Sequence, residues 1–447
     1  MTDLIPLISL IGYFFFLKNN HLNHFLVSLI FLSFLMFATN YTHYGLEIDI
    51  FRYLHRSIGV LIAISLIFFV VKHRVNFLKE PAILILVFFF LTLLFSFFGN
   101  DLYMPYYYHY VRNFIFIALI VSFLYFKIDS NDKLDELFKL ILYLTLLLAF
   151  VAIYELFKND PLASYEETLN QKWGRRIKLF YSNPNYFAYA LIPGFVISLF
   201  SKSKYKLLAS SIILLAIFST GSRSVQLASV LVVILFIFYN NRSKTFKFLS
   251  LASLMALVYL AIFSSFSFFE RIITNQNVDK SRIAFTFVAF NAFTARPING
   301  IGYGQFRIKF YDYIDQNVID MEVSEIKQAL ASVDLTLTNN DLESMGIKER
   351  NLEIMTHNDL LVIVSELGVF GIAFLFYLFY RLYFEYRSLW LQDRRYFYIV
   401  QSMQVSTLVF SLFHNNLTSF VFWFILLLPF IINRNYYKIG KSSCHAS

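Results

Sequence analysis

Apolar residues run along this chain in blocks of about 15–22, close to the length of about 20 that a helix needs to cross a bilayer. The blocks do not alternate polar with apolar positions, so they predict helices and not the strands of a closed barrel. About thirteen such spans are expected by this criterion: 3–17, 24–39, 56–71, 82–98, 111–126, 137–157, 186–200, 206–219, 222–239, 246–268, 358–380, 397–414 and 417–432. The reading is an all-α polytopic membrane protein of about 12–13 transmembrane helices.

One interruption is long. Between 269 and 357 the spans give way to a segment large enough to lie outside the membrane. It divides the chain into N-terminal transmembrane helices (1–268), an extracytoplasmic loop (269–357) and C-terminal transmembrane helices with a cytoplasmic tail (358–447). Within the loop, SRIAFTFVAFNAFTARPINGIGYGQF places apolar residues at helical spacing until Pro297 and the glycines Gly300, Gly302 and Gly304. That pattern predicts a surface helix over 281–295, lying along the membrane, followed by a glycine turn.

Composition agrees with lipid as the solvent. Of 447 residues, 58% are hydrophobic and 15% charged, and the mean hydropathy is +0.60. Asp3, with no Lys or Arg before the first apolar run, argues against a cleavable signal peptide. Cys444 is the single cysteine, which excludes an intramolecular disulfide and a thiolate metal cluster. The net charge of +9 is read as positive-inside bias and not as nucleic-acid affinity.

Lys and Arg concentrate in segments 72–80, 127–136, 201–206, 240–247 and 381–396, which are expected in the cytoplasm. Alternation then puts 99–110, 158–185, the turn near 220, the loop 269–357 and the turn near 415 on the outer side. Segment 158–185 departs from the rule with Lys158, Lys172, Arg175, Arg176 and Lys178. It is either a well-anchored loop that disobeys the bias or an anion site.

Ionisable groups at membrane depth are costly and call for a role or a partner. Arg223, in STGSRSVQLASV, is either a headgroup-snorkelling residue or an anion ligand in a small, hydroxyl-rich turn. A guanidinium there can grip a phosphate bidentately. Arg282, read as the start of the surface helix, opposes the positive helix end, so either Asp279 or a bound diphosphate compensates it. His357 precedes the helix beginning at 358, where a histidine is either a cap or a proton acceptor poised near neutral pH. The nine histidines show no metal-ligand spacing, and no metal or other cofactor is expected. Glu47 and Asp49, in EIDI, form a carboxylate pair of low specificity.

Four stretches, in order, make the chain resemble the O-antigen ligase and O-antigen polymerase superfamily of bacterial membrane glycosyltransferases. They are FYSNPNYFAYAL (180–191), STGSRSVQLA (219–228), the Arg-led helix with its Pro and G-x-G turn (281–306), and THNDLLVIVSELGVFG (356–371). The last follows the pattern H-N-x-x-L-x-x-x-x-E-x-G-x-x-G and is the most specific. Thr286 stands where the family often has Trp. The resemblance implies a donor glycan on undecaprenyl diphosphate, transferred with inversion to a hydroxyl of lipid A core or of a growing polysaccharide. It places the reaction at the outer face of the bacterial inner membrane, without nucleotide sugar or metal. By the same resemblance Arg223 and Arg282 bind the diphosphate, His357 is the general base, and Glu366 orients the site. Arg175, Arg176, Asn183, Asn185 and Asn358 join Arg223, Arg282 and Glu366 as substrate-binding candidates. A lipid-linked glycan flippase and a polyprenyl-monophosphate-sugar transferase working from EIDI are the competing readings. The first predicts pseudosymmetric repeats, which the sequence does not show.

Overall fold

The computed structural model describes residues 79–98, 100, 102–157, 177, 179, 183–240, 276–315, 317–318 and 358–444. The expected spans 3–17, 24–39, 56–71 and 246–268 lie outside the described residues, as do His357, Arg175, Arg176 and the EIDI pair. Among the described residues every regular element is helical.

In chain order the helices are α1 (Pro81–Phe95), α2 (Met104–Lys127), α3 (Asn131–Phe157), α4 (Pro184–Leu199), α5 (Lys206–Ser219), α6 (Arg223–Tyr239), α7 (Gln276–Ala295), the single turn α8 (Phe306–Lys309), α9 (Asp359–Gln392), α10 (Arg394–Ser411) and α11 (Phe420–Cys444). Their starts follow local chemistry. Pro in the first turn opens α1, α2 and α4, where the missing N–H has no helical partner to lose. Asn183, Asn358 and Asp393 cap α4, α9 and α10 by accepting first-turn backbone N–H bonds.

Among the described residues, four helices are long and apolar enough to cross a membrane: α2, α3 to Glu155, α9, and α11 to Tyr437. The 14–17-residue helices α1, α4, α5 and α6 measure roughly 21–26 Å, shorter than the hydrocarbon core. Helix α10, expected as a span, is not among the four. Its polar residues serve helix contacts: Thr407 meets the Tyr189 hydroxyl at 2.9 Å, and Gln404 Nε2 donates to the carbonyls of Ile425 and Leu426 at 3.1 and 3.0 Å. Pro429 has no N–H for the carbonyl of Ile425 four residues earlier, so Gln404 supplies the missing donor.

Two expectations are corrected. Segment 381–396 is not a loop, because α9 continues to Gln392 and only Asp393 separates it from α10. Helix α7 begins at Gln276, not at 281, so Arg282 lies in its second turn. The opposition between that guanidinium and the helix dipole is thereby reduced, since the effect fades beyond the first turn.

The bundle has two distinct ends. At one, Arg434 Nη1 donates to the carbonyl of Tyr125 (2.6 Å), Tyr396 OH to Asp135 (3.0 Å), and Arg395 Nε to the carbonyl of Phe200 (3.2 Å). Tyr239 packs there on Phe200 and Tyr398, so α6 runs antiparallel to α10. The described parts of the basic segments 72–80, 127–136, 201–206 and 381–396 all collect at this end. The opposite end gathers the starts of α2, α4, α6 and α9, the turn between α10 and α11, and the glycine turn after α7. All four motif stretches reach that second end.

Candidate functional site

The glycine turn and the break in α9 form one unit. At Gly368 the backbone leaves the helix, with φ 61° and ψ −146°. In an unbroken helix the carbonyls of Ser365 and Glu366 would accept from residues 369 and 370. Here they accept from Ile301 N (3.0 Å) and Gly302 N (3.1 Å), while Val369 N donates to the carbonyl of Pro297 (2.8 Å). The two chains approach so closely that a Cβ on Gly300 would sit 2.2 Å from the carbonyl carbon of Glu366. A Cβ on Gly368 would sit 2.5 Å from the oxygen of Ile298.

Glu366 completes this junction. Its buried carboxylate accepts from Gly304 N at 2.8 Å and Phe306 N at 2.9 Å. Both oxygens hold the turn, so the observed contacts make Glu366 a positioning residue. Gln305 fastens the same turn to the α1–α2 connection, accepting from Tyr103 N at 2.7 Å. Asn100 Nδ2 donates to the carbonyl of Gly300 at 3.0 Å. Tyr303 is buried in this junction, and desolvation holds its phenol well above the ordinary tyrosine range, so it stays neutral.

A second junction lies at the turn between α10 and α11, in the sequence Phe413-His414-Asn415-Asn416-Leu417. Asp359, the first residue of α9, is buried, and its Oδ1 accepts from Asn416 N (2.6 Å) and Leu417 N (3.1 Å). Tyr186 of the Asn-Pro-Asn stretch donates its hydroxyl to the carbonyl of Asn415 at 2.9 Å. The Arg282 guanidinium lies over the Phe413 ring, 5.7 Å from its centroid. Three of the four motif stretches therefore meet on one five-residue segment. His414, buried and stacked on Phe410 with centroids 4.5 Å apart, lies near its middle.

The remaining candidates fall around these junctions. Arg223 is exposed as the first residue of α6. Ser222 Oγ and Ser224 Oγ beside it are buried with no hydrogen-bond partner among the described residues. First-turn N–H groups point out of that helix end, and together with the exposed Arg223 they form a donor-rich approach for an anion. Asn183 is the cap of α4, accepting from Asn185 N at 2.8 Å. Asn358 caps α9, accepting from Leu360 N and Leu361 N at 2.9 and 3.2 Å. The side-chain oxygens of Asn183 and Asn358 thus have backbone partners of their own. Thr286 bonds back to the carbonyl of Arg282 at 2.8 Å and is exposed.

The sequence reading missed Asp359, Tyr186 and the whole Phe413–Leu417 segment. A signal for the last existed: a His-Asn-Asn run between two apolar helices repeats the His-Asn of the 357–358 stretch.

Fold and site define a polytopic α-helical membrane protein with a donor-rich site at one end of its bundle. Residues 208–326, from α5 through the glycine turn to the residues after α8, match the family model described as O-antigen ligase. The match bears out, over this part of the chain, the resemblance to the O-antigen ligase and polymerase superfamily. The matched span includes Arg223, Arg282 and all three glycines of the turn. No curated protein matches the chain.

Proposed function

We propose that the chain is an inverting, metal-independent glycosyltransferase of the ligase or polymerase type. It moves a glycan from undecaprenyl diphosphate to an acceptor hydroxyl, of lipid A core or of a growing polysaccharide. The family match supports a glycosyltransferase-like enzyme acting on a lipid-linked glycan and an acceptor. The basic end of the bundle faces the cytoplasm on this reading, and the site faces the periplasm across the bacterial inner membrane.

The carrying observation is the five-residue turn at which three of the four motif stretches converge. It has Arg282 over Phe413 and Asp359 bonded to Asn416 and Leu417. Asp359 lies two residues after His357 in the sequence. Arg282 and Arg223 bind the diphosphate as planar forks and stabilise the charge that grows as the glycosidic bond breaks, a term of oxyanion-hole type. His357 accepts the proton of the attacking hydroxyl, a contribution of about 10²–10⁴-fold. Glu366 acts at one remove by holding the glycine turn. Arg175 and Arg176 belong to the donor-binding side of the proposal on their sequence alone.

Transfer from purified undecaprenyl-diphosphate-linked glycan to a core acceptor, in reconstituted protein, tests this reading. Product with inverted anomeric configuration supports it. Vectorial movement of the donor across a vesicle membrane without transfer supports the flippase instead.

A further inference from the structure

The start of α2 carries a group that the proposed reaction does not use. Tyr106, His109, Tyr110 and Asn113 recur at the spacing of one helix face. Arg112 Nη2 donates to His109 Nδ1 at 3.3 Å, and the Asn113 amide lies 3.1 Å from His109 Nε2. An arginine can only donate, so Nδ1 must accept; the ring proton then sits on Nε2, and Asn113 meets it with its amide turned so that the carbonyl oxygen accepts. The imidazole is then neutral and orients Arg112 without cancelling its charge. Among the described residues no carboxylate lies within ion-pair distance of Arg112, which is exposed. Its guanidinium lies 5.7 Å from the centroid of Tyr108, a ring that is itself exposed.

A second cation reaches this face from the motif side. Arg307 belongs to α8, directly after the glycine turn. Its Nη1 donates to Tyr110 OH at 3.3 Å, and its guanidinium lies 5.6 Å from the centroid of Tyr106. Tyr110 packs edge-on against Tyr303 and against Gly304, whose N–H Glu366 holds. The two arginines are therefore set on separate elements, Arg307 tied through Tyr110 to the glycine-turn junction and Arg112 held on α2 by His109. A headgroup anchor needs only one helix end with Arg and Tyr at the interface; this face is assembled from two segments distant in sequence.

Guanidinium groups fixed over aromatic rings suit an anionic substituent, and the exposed Tyr108 ring, beside the half-buried Tyr106 and Tyr110, offers an apolar face to the C–H side of a sugar. We propose that Arg112 and Arg307, with Tyr106, Tyr108 and Tyr110, bind a saccharide carrying phosphate or carboxylate groups. On the function proposed above, on which this inference rests, that saccharide is the acceptor.

Binding and transfer are measured separately. The probe is a phosphorylated lipopolysaccharide core oligosaccharide, alongside its enzymatically dephosphorylated form, on purified protein in nanodiscs of zwitterionic lipid. The phosphorylated form binds more tightly, and Arg112→Gln weakens it roughly tenfold, as expected when one charge-assisted hydrogen bond to phosphate is removed. Affinity for undecaprenyl diphosphate stays unchanged in that variant, and so does the affinity for the dephosphorylated oligosaccharide. Tyr108→Ala weakens both oligosaccharides. Equal affinity of wild type and Arg112→Gln for the phosphorylated form overturns the proposal. A loss confined to association with phosphatidylglycerol nanodiscs also overturns it and assigns the face to lipid headgroups. Oligosaccharide binding that survives in a protein found to have no transferase activity leaves this site standing and removes the reaction proposed for it.

Discussion

Replacing Gly368 by alanine perturbs the closest backbone approach in the site. The residue has φ 61° and ψ −146°, a region that is nearly glycine-only, and occupying it with a side chain costs about 1–3 kcal/mol. The added Cβ would lie 2.5 Å from the oxygen of Ile298 and 2.6 Å from both Gly300 N and the oxygen of Pro297. Those are backbone atoms, two of them in residues of the lock itself, so they cannot retreat as a flexible side chain would. Relieving the overlap costs about 1–3 kcal/mol more, for a total of about 2–6 kcal/mol by these two terms. Thermal unfolding in detergent, followed by tryptophan fluorescence, reads this through Trp423, which is buried against Phe89 and Phe114. Gly368→Ala is expected to unfold well below wild type, whereas Val369→Ala, at a position 50% exposed, changes stability by no more than about 0.5 kcal/mol. Gly300→Ala should resemble Gly368→Ala, and the double variant should lose less than the sum because both break one junction. Wild-type unfolding of Gly368→Ala would refute the argument that these segments are locked through their backbones.

Asp359→Ala strands the N–H groups of Asn416 and Leu417, at about 1–3 kcal/mol for each buried donor. Hydrogen exchange over residues 412–419 should accelerate together with a fall in turnover; unchanged exchange would show that the carboxylate does not hold the turn. For topology, with Cys444 removed, a cysteine at Ser332 should react with membrane-impermeant maleimide in spheroplasts and one at Ser388 should not; the reverse pattern would move the site to the cytoplasmic face. Glycan transfer should survive EDTA, and loss restored by Mg²⁺ or Mn²⁺ would favour the transferase that works from EIDI.

The described helices were legible because apolar runs mark them: α4, α5 and α6 start within two residues of expectation. Where polarity and secondary structure part company, the reading failed. Residues 276–280, QNVDK, lack an apolar face, so α7 was begun late. Helix α9 leaves the apolar stretch carrying Arg381 and Arg387, and a rule that tracks lipid contact stops there although the hydrogen bonding does not. The glycine turn was visible as three glycines at alternate positions. Its partner, the break at Gly368, was not, because one glycine inside an apolar run reads equally as a packed helical residue. Asp359 escaped for a related reason: an acid in the first turn of a helix is expected from the dipole alone, and nothing local announces that its hydrogen-bond donors lie near residue 416.

The central claim is that two arginines bind a diphosphate while a histidine takes a proton. Donor binding and transfer, measured side by side in purified variants that still fold and reach the membrane, test it most directly. Arg223→Lys and Arg282→Lys keep the charge but lose the fork, so each should lower turnover by about ten- to hundredfold, the equivalent of roughly 1.5–3 kcal/mol. His357→Ala should retain nearly normal donor binding and lose transfer. Wild-type turnover by His357→Ala, or by the double Arg→Lys variant, would contradict the account and reduce these residues to helix caps and headgroup anchors.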